Sequence, residues 1–231
     1  MIEIYKGVGI VDLGLYFKKT NTLVIGDLQI GYEASLNKEG VLVPRQQFDL
    51  MIKMLRRMIE KVEIKRIIVN GDIKHEFGEI NEQEWREILN LLDFLKENRE
   101  LILIKGNHDK MLEPIITKRG FKLVNYFKIG KSMVLHGDEI INECKYSNLI
   151  VIGHEHPAVR LKESAKVEMY KCFLKGKWKG KTLIVMPSFN PLVEGSDILN
   201  EERLSPFLKD NQRFHIFIVG DKVYDFGTSL E

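Results

Sequence analysis

The ends of five apolar segments constrain this chain more than any other feature of its sequence. Each segment is a short run of β-branched or leucine residues, followed within three residues by an Asp, Asn or His that lies next to a glycine. In chain order, the polar residues at these ends are Asp27, Asp72, Asn107, His136 and His154. Continuous apolar runs are typical of strands buried on both faces. Because sites in open α/β sheets form at the carboxyl ends of strands, the pattern predicts one shared cluster.

Hydrophobic spacing predicts the remaining secondary structure. The predicted strands are residues 22–25, 66–70, 101–104, 132–135, 149–152, 182–186 and 215–219. Apolar residues at helical spacing predict a helix over 44–62, with Pro44 at a first helical position. Asn81, with Glu84 after it, is typical of the start of a second helix. Gly120 is expected to end a short helix that begins near Glu113.

The order of these elements predicts a layered α/β fold. Strands alternate with helices through the first part of the chain, whereas the part from residue 159 onward has hairpin-like spacing. A mixed sheet, or two packed sheets with helices outside, accounts for both parts. No internal repeat or Pro/Gly/Ser linker divides the 231 residues, and we therefore predict a single domain over 1–231.

Composition and charge indicate a globular protein in a reducing compartment. The chain is 44% hydrophobic and 29% charged, and its net charge of +2 neither requires nor excludes a polyanionic partner. Its two cysteines, Cys144 and Cys172, are too few for a disulfide framework. No apolar stretch is long enough to span a membrane, and the first residues do not resemble a secretion signal. We therefore predict a cytoplasmic protein.

The polar strand ends have the chemistry of a metal centre. Asp27, Asp72, Asn107 or His136 alone would more often be a turn, a cap or a buried structural residue, and the pair His154 and His156 alone is ambiguous. Turn residues that arose independently would not be expected to repeat the same pattern at five strand ends. Mixed oxygen and imidazole ligands suit borderline divalent ions such as manganese, iron or zinc. The set is too large for one four-coordinate ion and is about right for two ions that share a carboxylate.

At this point the sequence resembles the calcineurin-like metallophosphoesterase superfamily. The ordered pattern of that superfamily is D-x-H, GD, GNH[D/E], H and GHxH. Here it reads Asp27-x-Gln29, Gly71-Asp72, Gly106-Asn107-His108-Asp109, His136 and Gly153-His154-Glu155-His156. The stretch from Asp27 to Glu33, together with Pro44-Arg45-Gln46, is similar to archaeal SbcD-related phosphoesterases, which are akin to phosphoesterases associated with DNA ligases.

The resemblance implies a fold, a cofactor and residue roles. The fold would be a four-layer αββα sandwich, with two mixed sheets flanked by helices, and the cofactor two divalent ions, with manganese favoured and iron, zinc or nickel as alternatives. The first ion would be held by Asp27, Gln29, Asp72 and His156, and the second by Asp72, Asn107, His136 and His154. His108 would face the substrate phosphate as a catalytic residue beside Asp72 and Asn107. Gln29 departs from the family, which usually has histidine there, and an amide oxygen is a weaker ligand.

The implied reaction is hydrolysis of a phosphate ester. Two such cations clamp a phosphoryl group and acidify a bridging water, and the resulting hydroxide attacks in line. A phosphodiesterase or nuclease is the favoured interpretation, with a nucleic acid or a cyclic nucleotide as substrate. A phosphomonoesterase stays open. So does a non-catalytic scaffold, since the retromer complex contains a scaffold member of the superfamily that lacks the His of the GNH motif, which is present here as His108.

Substrate contacts are less clear from the sequence. Lys74 and His75 follow Asp72 and are either phosphate contacts or surface-loop residues, and the segment that contains Asn190 either lines the cleft or is a tight loop. The segment from Arg160 to Lys181 carries eight Lys and Arg residues with interleaved aromatics. It is either a nucleic-acid surface beside the site or a solvated hairpin in which Lys175, Lys177, Lys179 and Lys181 form one wet strand face. Protein partners are not indicated.

Overall fold

The computed structural model describes residues 1–75, 82–163, 166–209 and 212–228. Its strands are β1 (Ile2–Tyr5), β2 (Val8–Val11), β3 (Gly14–Phe17), β4 (Thr22–Gly26), β5 (Arg66–Asn70), β6 (Glu100–Ile104), β7 (Leu123–Val124), β8 (Tyr126–Ile129), β9 (Ser132–Leu135), β10 (Leu149–Ile152), β11 (Pro157–Glu163), β12 (Lys166–Trp178), β13 (Lys181–Val185), β14 (Ser196–Asp197), β15 (His215–Val219) and β16 (Val223–Thr228). Its α-helices are α1 (Tyr32–Lys38), α2 (Gln47–Lys61), α3 (Glu82–Lys96) and α4 (Glu113–Lys118).

Two mixed sheets are built from these strands. The first sheet has the order β1 to β7, antiparallel from β1 to β4 and parallel from β4 to β7. The second has the order β14-β11-β12-β13-β10-β9-β8, and β15 pairs with β12 and with β16. Within it, β9, β10 and β13 are parallel neighbours. Parallel pairing places the carboxyl ends of β4, β5 and β6 at one edge, and those of β9 and β10 at another.

The two sheets pack face to face through a shared apolar core. Val24 and Ile68 of the first sheet belong to one buried cluster with Val151, Phe173 and Ile184 of the second. These side chains are fully buried, and each such burial contributes roughly 1.5–3 kcal/mol. The central strands carry continuous apolar runs because their other faces are covered too. The sheet packing therefore fixes the two rows of polar strand ends relative to each other.

Different elements cover the two outer faces. Helices α2, α3 and α4 pack on the first sheet, where Met51 and Leu92 lie against Ile25 and Val69. On the second sheet, the described residues that pack there include Cys144, from a short 3-10 helix, together with Phe207 and other residues of the irregular chain after β14. The expected α/β fold with two mixed sheets flanked by helices is confirmed. No helix among the described residues is long and apolar enough to cross a membrane.

The seven predicted strands all form, within one or two residues of the expected ends. The N-terminal hairpins β1, β2 and β3 were not predicted, although Lys6-Gly7 between two apolar runs is a hairpin signal. The predicted helix over 44–62 is wrong at its start, because α2 begins at Gln47 and Pro44 lies outside it. The reason is tertiary, since the Glu33 carboxylate accepts the backbone N–H groups of Gln46 and Gln47, both at 2.9 Å.

The other helix predictions have mixed outcomes. The short helix near Glu113 forms, and Gly120 follows it with a φ of +74°, a value that glycine adopts without steric cost. The predicted cap at Asn81 lies outside the described residues. Glu84 does lie in α3, but its carboxylate points to the Lys74 ammonium, with 3.4 Å between Oε1 and Nζ. Its role is therefore a buried ion pair between the helix and the loop after β5.

Candidate metal centre

The polar ends of the central strands meet at one place between the two sheets. Asp27 follows β4 and Asp72 follows β5, whereas His136 follows β9 and His154 follows β10. All of these side chains except that of His154 are almost fully buried. The cross-sheet distances are short, with 3.4 Å between His136 Nε2 and Asp72 Oδ2 and 3.6 Å between His136 Nδ1 and Asp27 Oδ1. The cluster predicted from the strand ends therefore exists.

The ligand atoms fall into two groups that share Asp72. One group is Asp27, Asp72 and His156, and the other is Asp72, His136 and His154. Within each group all the ligand atoms lie within 4.8 Å of one another. Asp27 Oδ1 lies 3.3 Å from His156 Nε2. A shared carboxylate between two mixed carboxylate and imidazole groups is the arrangement expected for two neighbouring divalent ions.

Asn107 and Gln29 are placed differently around these groups. Asn107 Oδ1 lies 2.9 Å from His136 Nε2, which in turn lies 3.2 Å from His154 Nδ1, so Asn107 adds an oxygen to the second group. Gln29 is held through its backbone, which donates to the Asp72 carbonyl at 2.9 Å and accepts from Gln47 Nε2 at 2.8 Å. The ligand role expected of the Gln29 side-chain amide stays a prediction.

The residues present fit bound cations. Among the described residues, no hydrogen-bond partner is found for the buried atoms His156 Nε2 and His136 Nδ1. Two motif glycines make the close approach of the carboxylates feasible. A Cβ on Gly106 would overlap Oδ1 of Asp72, and one on Gly153 would lie 2.5 Å from Oδ2 of Asp27. Imidazole nitrogens that face crowded carboxylates without a hydrogen bond are the donor set that a divalent ion satisfies.

The electrostatics of the cluster also favour a cation. Burial alone would raise the pKa of Asp72, but hydrogen bonding and attraction to His136 outweigh it and lower that pKa. Burial opposes charge on His136, yet Asp72 and Asp27 raise its pKa to about 9. Burial, with repulsion from His136, lowers the pKa of His154. The two carboxylates therefore impose a negative field on the cluster, which attracts positive charge.

The backbone at the site is strained at several candidate ligands. Non-glycine residues with positive φ are uncommon and cost roughly 1–3 kcal/mol each. At this site they are Asp27 (φ 54°), Gln29 (φ 45°), Asp72 (φ 42°), His154 (φ 64°) and His156 (φ 50°). Hydrogen bonds hold these conformations, including one from Asp27 N to the Gly71 carbonyl at 3.2 Å. Such strain clusters at functional sites because it aims side chains that regular strands would point elsewhere.

His108 stands beside the cluster and is oriented by two backbone contacts. Its own N–H donates to Asp72 Oδ1 at 3.1 Å, and its ring Nδ1 contacts the carbonyl oxygen of His75. Because a carbonyl only accepts, Nδ1 carries the proton and Nε2 is the nitrogen left for chemistry. Nε2 lies 3.9 Å from Asp72 Oδ2, and the side chain is 19% exposed. His108 is thus the candidate catalytic residue that solvent and substrate can reach.

Asp109 of the GNHD motif has a structural role that the sequence analysis did not assign. Its carboxylate accepts the N–H of Ile73 at 2.9 Å, that of Lys74 at 3.4 Å and that of Gly106 at 2.9 Å. It thereby fastens the loop after β5 to the loop after β6. Burial, with repulsion from Asp72, raises the pKa of Asp109 to about 6. The only sequence feature that could have indicated this role is the position of Asp109 directly after Asn107 and His108.

The loop after β13 donates hydrogen bonds to the backbone of the first ligand group. Ser188 Oγ donates to the Asp27 carbonyl at 2.8 Å, and Asn190 Nδ2 donates to the Gln29 carbonyl at 3.2 Å. Lys171, on β12, donates from Nζ to the Ser188 carbonyl at 2.8 Å and to that of Asn190. Burial lowers the pKa of Lys171 to about 7, although attraction to Asp27 works against this. Neither Lys171 nor Ser188 was predicted from the sequence to support the site.

The three predicted substrate contacts occupy different environments. Lys74 is fully buried and pairs with Glu84, so that it is neither a surface-loop residue nor open to solvent. Asn190 is also fully buried, and its side chain accepts from Leu192 N at 2.9 Å as well as donating to Gln29. His75 is half-buried, and its ring lies 4.7 Å from that of Tyr32 and 6.1 Å from that of His108. Of the three, His75 alone is placed next to the reactive side of the site.

The basic segment does not form one continuous surface. Lys171 points inward, and Arg160 faces Asp197 at 3.8 Å while Lys166 pairs with Glu168 at 2.6 Å. The expectation of a single wet strand face is wrong, since Lys179 (φ 45°) lies in the turn between β12 and β13 and Lys181 begins β13.

The pairing register of β13 with β10 also separates the end of the basic segment from the metal centre. Thr182 pairs with Leu149 at the amino end of β10, whereas His154 follows its carboxyl end. The positive charges from Lys177 to Lys181 therefore lie toward the other end of the sheet, whereas Lys175 pairs with Ile184, which pairs with Val151 near the carboxyl end of β10.

Comparisons with known proteins agree with this geometry. Residues 20–224 match the sequence profile of a family described as calcineurin-like phosphoesterase. Among curated proteins, none matches the sequence significantly. The structure is similar to that of the Pseudomonas putida nuclease MPE, with a TM-score of 0.64, 16% identity and coverage of 92% of this chain and 91% of that chain.

Two other solved structures are similar to this one with lower TM-scores. Vacuolar Protein Sorting 29 from Cryptosporidium parvum gives a TM-score of 0.41 at 16% identity, covering 91% of this chain and 95% of that chain. A predicted phosphoesterase from Streptococcus pneumoniae gives 0.37 at 11% identity, covering 96% and 98%. At such identities, the nuclease similarity shows the fold alone.

Proposed function

Because the chain belongs to the calcineurin-like phosphoesterase family, we propose that this metal-dependent phosphoesterase hydrolyses phosphodiesters with two divalent ions. The observation that carries the proposal is the pair of ligand groups joined by Asp72, with His108 beside them. Asp27, Asp72 and His156, with Gln29, would hold one ion, and Asp72, Asn107, His136 and His154 the other. When bound, such ions supply Lewis acidity and lower the pKa of water to near neutrality.

The chain's own residues then orient the reaction. Asp72 is held by the backbone N–H of His108 at 3.1 Å, which keeps its second oxygen toward His136. The His75 carbonyl fixes the His108 ring with Nδ1 protonated, so that Nε2 faces the reacting phosphate. Water adds to phosphorus and gives up a proton to solvent, one P–O ester bond breaks, and the leaving oxygen takes a proton. An imidazolium at His108 would stabilise the charge on the phosphate and supply that proton from Nε2.

Several finer features belong to the same proposal. Manganese is the favoured ion, because carboxylate, amide and imidazole ligands suit it, with iron, zinc and nickel as alternatives. The similarity of the motifs to SbcD-related phosphoesterases supports a nuclease-like or cyclic-nucleotide substrate. Cys144 and Cys172 are buried free thiols, which suits the reducing cytoplasm where we place the protein. A phosphomonoesterase and a scaffold are the alternatives, and His108 at the ligand cluster argues against the scaffold.

The proposal is tested with metal-stripped protein and bis-p-nitrophenyl phosphate. Turnover should require added manganese and should disappear in Asp72→Asn, which keeps the size of the side chain but removes the shared negative charge. Asp93→Asn, an exposed site on α3, is the matched control and should behave as wild type. If two metals bind and this diester is not cleaved whereas p-nitrophenyl phosphate is, the protein is a monoesterase. Binding of fewer than two metals, with no turnover, would support the scaffold.

A further inference from the structure

A cavity of about 290 Å³ adjoins the metal centre on the side of the second ligand group. Asn107 and His136 line it, and the walls continue to Lys110, Asn125, Asp138 and Glu139. The volume lies at the lower end of the range for small-molecule sites. His108 is not among its lining residues. The residue that would protonate the leaving oxygen is therefore not part of the cavity wall.

The walls of this cavity are fixed by contacts outside it. Lys105 N donates to the Val124 carbonyl at 2.9 Å, which joins the loop after β6 to the chain that leads to Asn125. The Lys105 ammonium pairs with Glu113 at 2.5 Å. At another lining residue, the Gly137 carbonyl accepts a hydrogen bond from Ser205 Oγ at 2.6 Å. These contacts hold the backbone of the cavity walls in place, whereas the side chains of Lys110, Asn125, Asp138 and Glu139 are exposed.

The charges of the lining residues select the chemistry of a ligand. The charged side chains that line the cavity are Lys105, which also pairs with Glu113 outside it, together with Lys110, Asp138 and Glu139. Two ammonium groups and two carboxylates give no surplus of positive charge, so a second phosphate would gain little there. Uncharged polar groups, however, would find donors and acceptors on Asn125 as well as on the charged side chains.

We propose that this cavity binds the uncharged alcohol arm that stays on the phosphate of a phosphodiester substrate, and that this arm is nucleoside-like. The inference rests on the proposed phosphodiesterase function. Sugar hydroxyls and heterocyclic amides offer the hydrogen-bonding groups that the lining residues match. The arm enters past Asn107 and His136, while the leaving oxygen lies near His108. A phosphomonoester has no such arm, so the cavity favours diesters over monoesters.

Two diesters with one leaving group test this inference. Thymidine 5′-p-nitrophenyl phosphate and methyl p-nitrophenyl phosphate both release p-nitrophenol, and they differ in the arm that stays on phosphorus. We expect kcat/KM for the thymidine ester to exceed that for the methyl ester by at least about tenfold, which corresponds to about 1.4 kcal/mol. Asn125→Ala should lower this ratio about fivefold or more. Lys177→Ala, at the far end of the sheet, is the control and should keep the wild-type ratio.

The outcomes separate this inference from the function on which it rests. A wild-type ratio near one, with both esters cleaved, would overturn the nucleoside-binding cavity and leave the phosphodiesterase intact. No cleavage of either ester by manganese-loaded protein would overturn both. Equal losses on the two esters in Asn125→Ala would also count against the inference. If that variant unfolds early, Glu139→Gln is used instead, because it removes a charged acceptor and keeps the size of an exposed side chain.

Discussion

Ser188 Oγ donates a hydrogen bond to the backbone carbonyl of Asp27 at 2.8 Å, across 161 positions of sequence. Asp27 has a φ of 54°, so its strained backbone needs such external support. We expect Ser188→Ala to weaken metal binding by the first group about tenfold, the lower end of the effect of outer-shell partners. A manganese titration of the stripped protein measures this. Ser147→Ala, another buried serine, is the control. Equal metal affinities in both variants would refute the role of Ser188.

The sharing of Asp72 predicts which substitutions affect one ion and which affect two. His156→Ala and His154→Ala each remove a ligand from one group, and each should weaken one of the two bound metals by at least about 10–100-fold. Asp72→Asn should weaken both, because its carboxylate belongs to both groups. Metal content after dialysis against micromolar manganese provides the measurement. Loss of only one metal from Asp72→Asn would show that the carboxylate does not bridge.

The position of His108 predicts a separation of turnover from metal binding. Only its backbone N–H contacts Asp72 as a hydrogen-bond donor, and alanine keeps that group. His108→Ala should therefore bind both metals as wild type does, while kcat falls about 10²–10⁴-fold through loss of proton transfer. His215→Ala, a partly exposed histidine in β15, serves as the control. An unchanged kcat in His108→Ala would exclude the proposed catalytic role.

Lys171 predicts a pH dependence of stability. Its pKa is 10.5 in an unfolded chain and is lowered by burial to about 7 in the folded protein. Between these values the unfolded state binds more protons, so this residue makes the free energy of unfolding rise with pH from about 7 to 10.5. Below pH 7, the buried charge of Lys171 lowers the free energy of unfolding by its full amount.

Urea unfolding at two pH values checks the effect of Lys171. Relative to Lys171→Met, which cannot titrate, the wild type should gain about 1–3 kcal/mol between pH 7 and pH 9.5. Lys175→Met, on the same strand, controls for the other lysines. The same difference between wild type and Lys171→Met at both pH values would mean that Lys171 stays charged inside the protein.

Much of the fold was predictable because the central strands are buried on both faces. Such strands are continuous apolar runs, and those that end at Asn70, Leu135 and Ile152 were predicted at their observed ends. The hairpins formed by β1, β2 and β3 were missed, since each strand has only four residues and both β2 and β3 contain a glycine. The start of α2 was wrong because the carboxylate of Glu33, on another helix, caps it.

The candidate metal ligands were identified from sequence order, whereas their support was not. Asp27, Asp72 and His136 each follow a strand, and parallel pairing brings such ends together. Lys171 and Ser188 lie on a later strand and loop, and nothing in their local sequence indicates contact with residues near Asp27. Contacts of that kind depend on the packing of whole sheets, which short sequence patterns do not encode.

The sequence by itself determined that apolar strands would end in side chains of the types that can bind metals, because residue type and burial pattern are local properties. Tertiary structure decided how those ends combine. The packing of two sheets made Asp72 common to two ligand groups and placed His108 beside them, with its ring turned by the His75 carbonyl. It also buried Lys74 and directed the lysines from Lys177 to Lys181 toward the far end of the sheet. Distances between residues remote in sequence are set by packing, and packing depends on the whole chain.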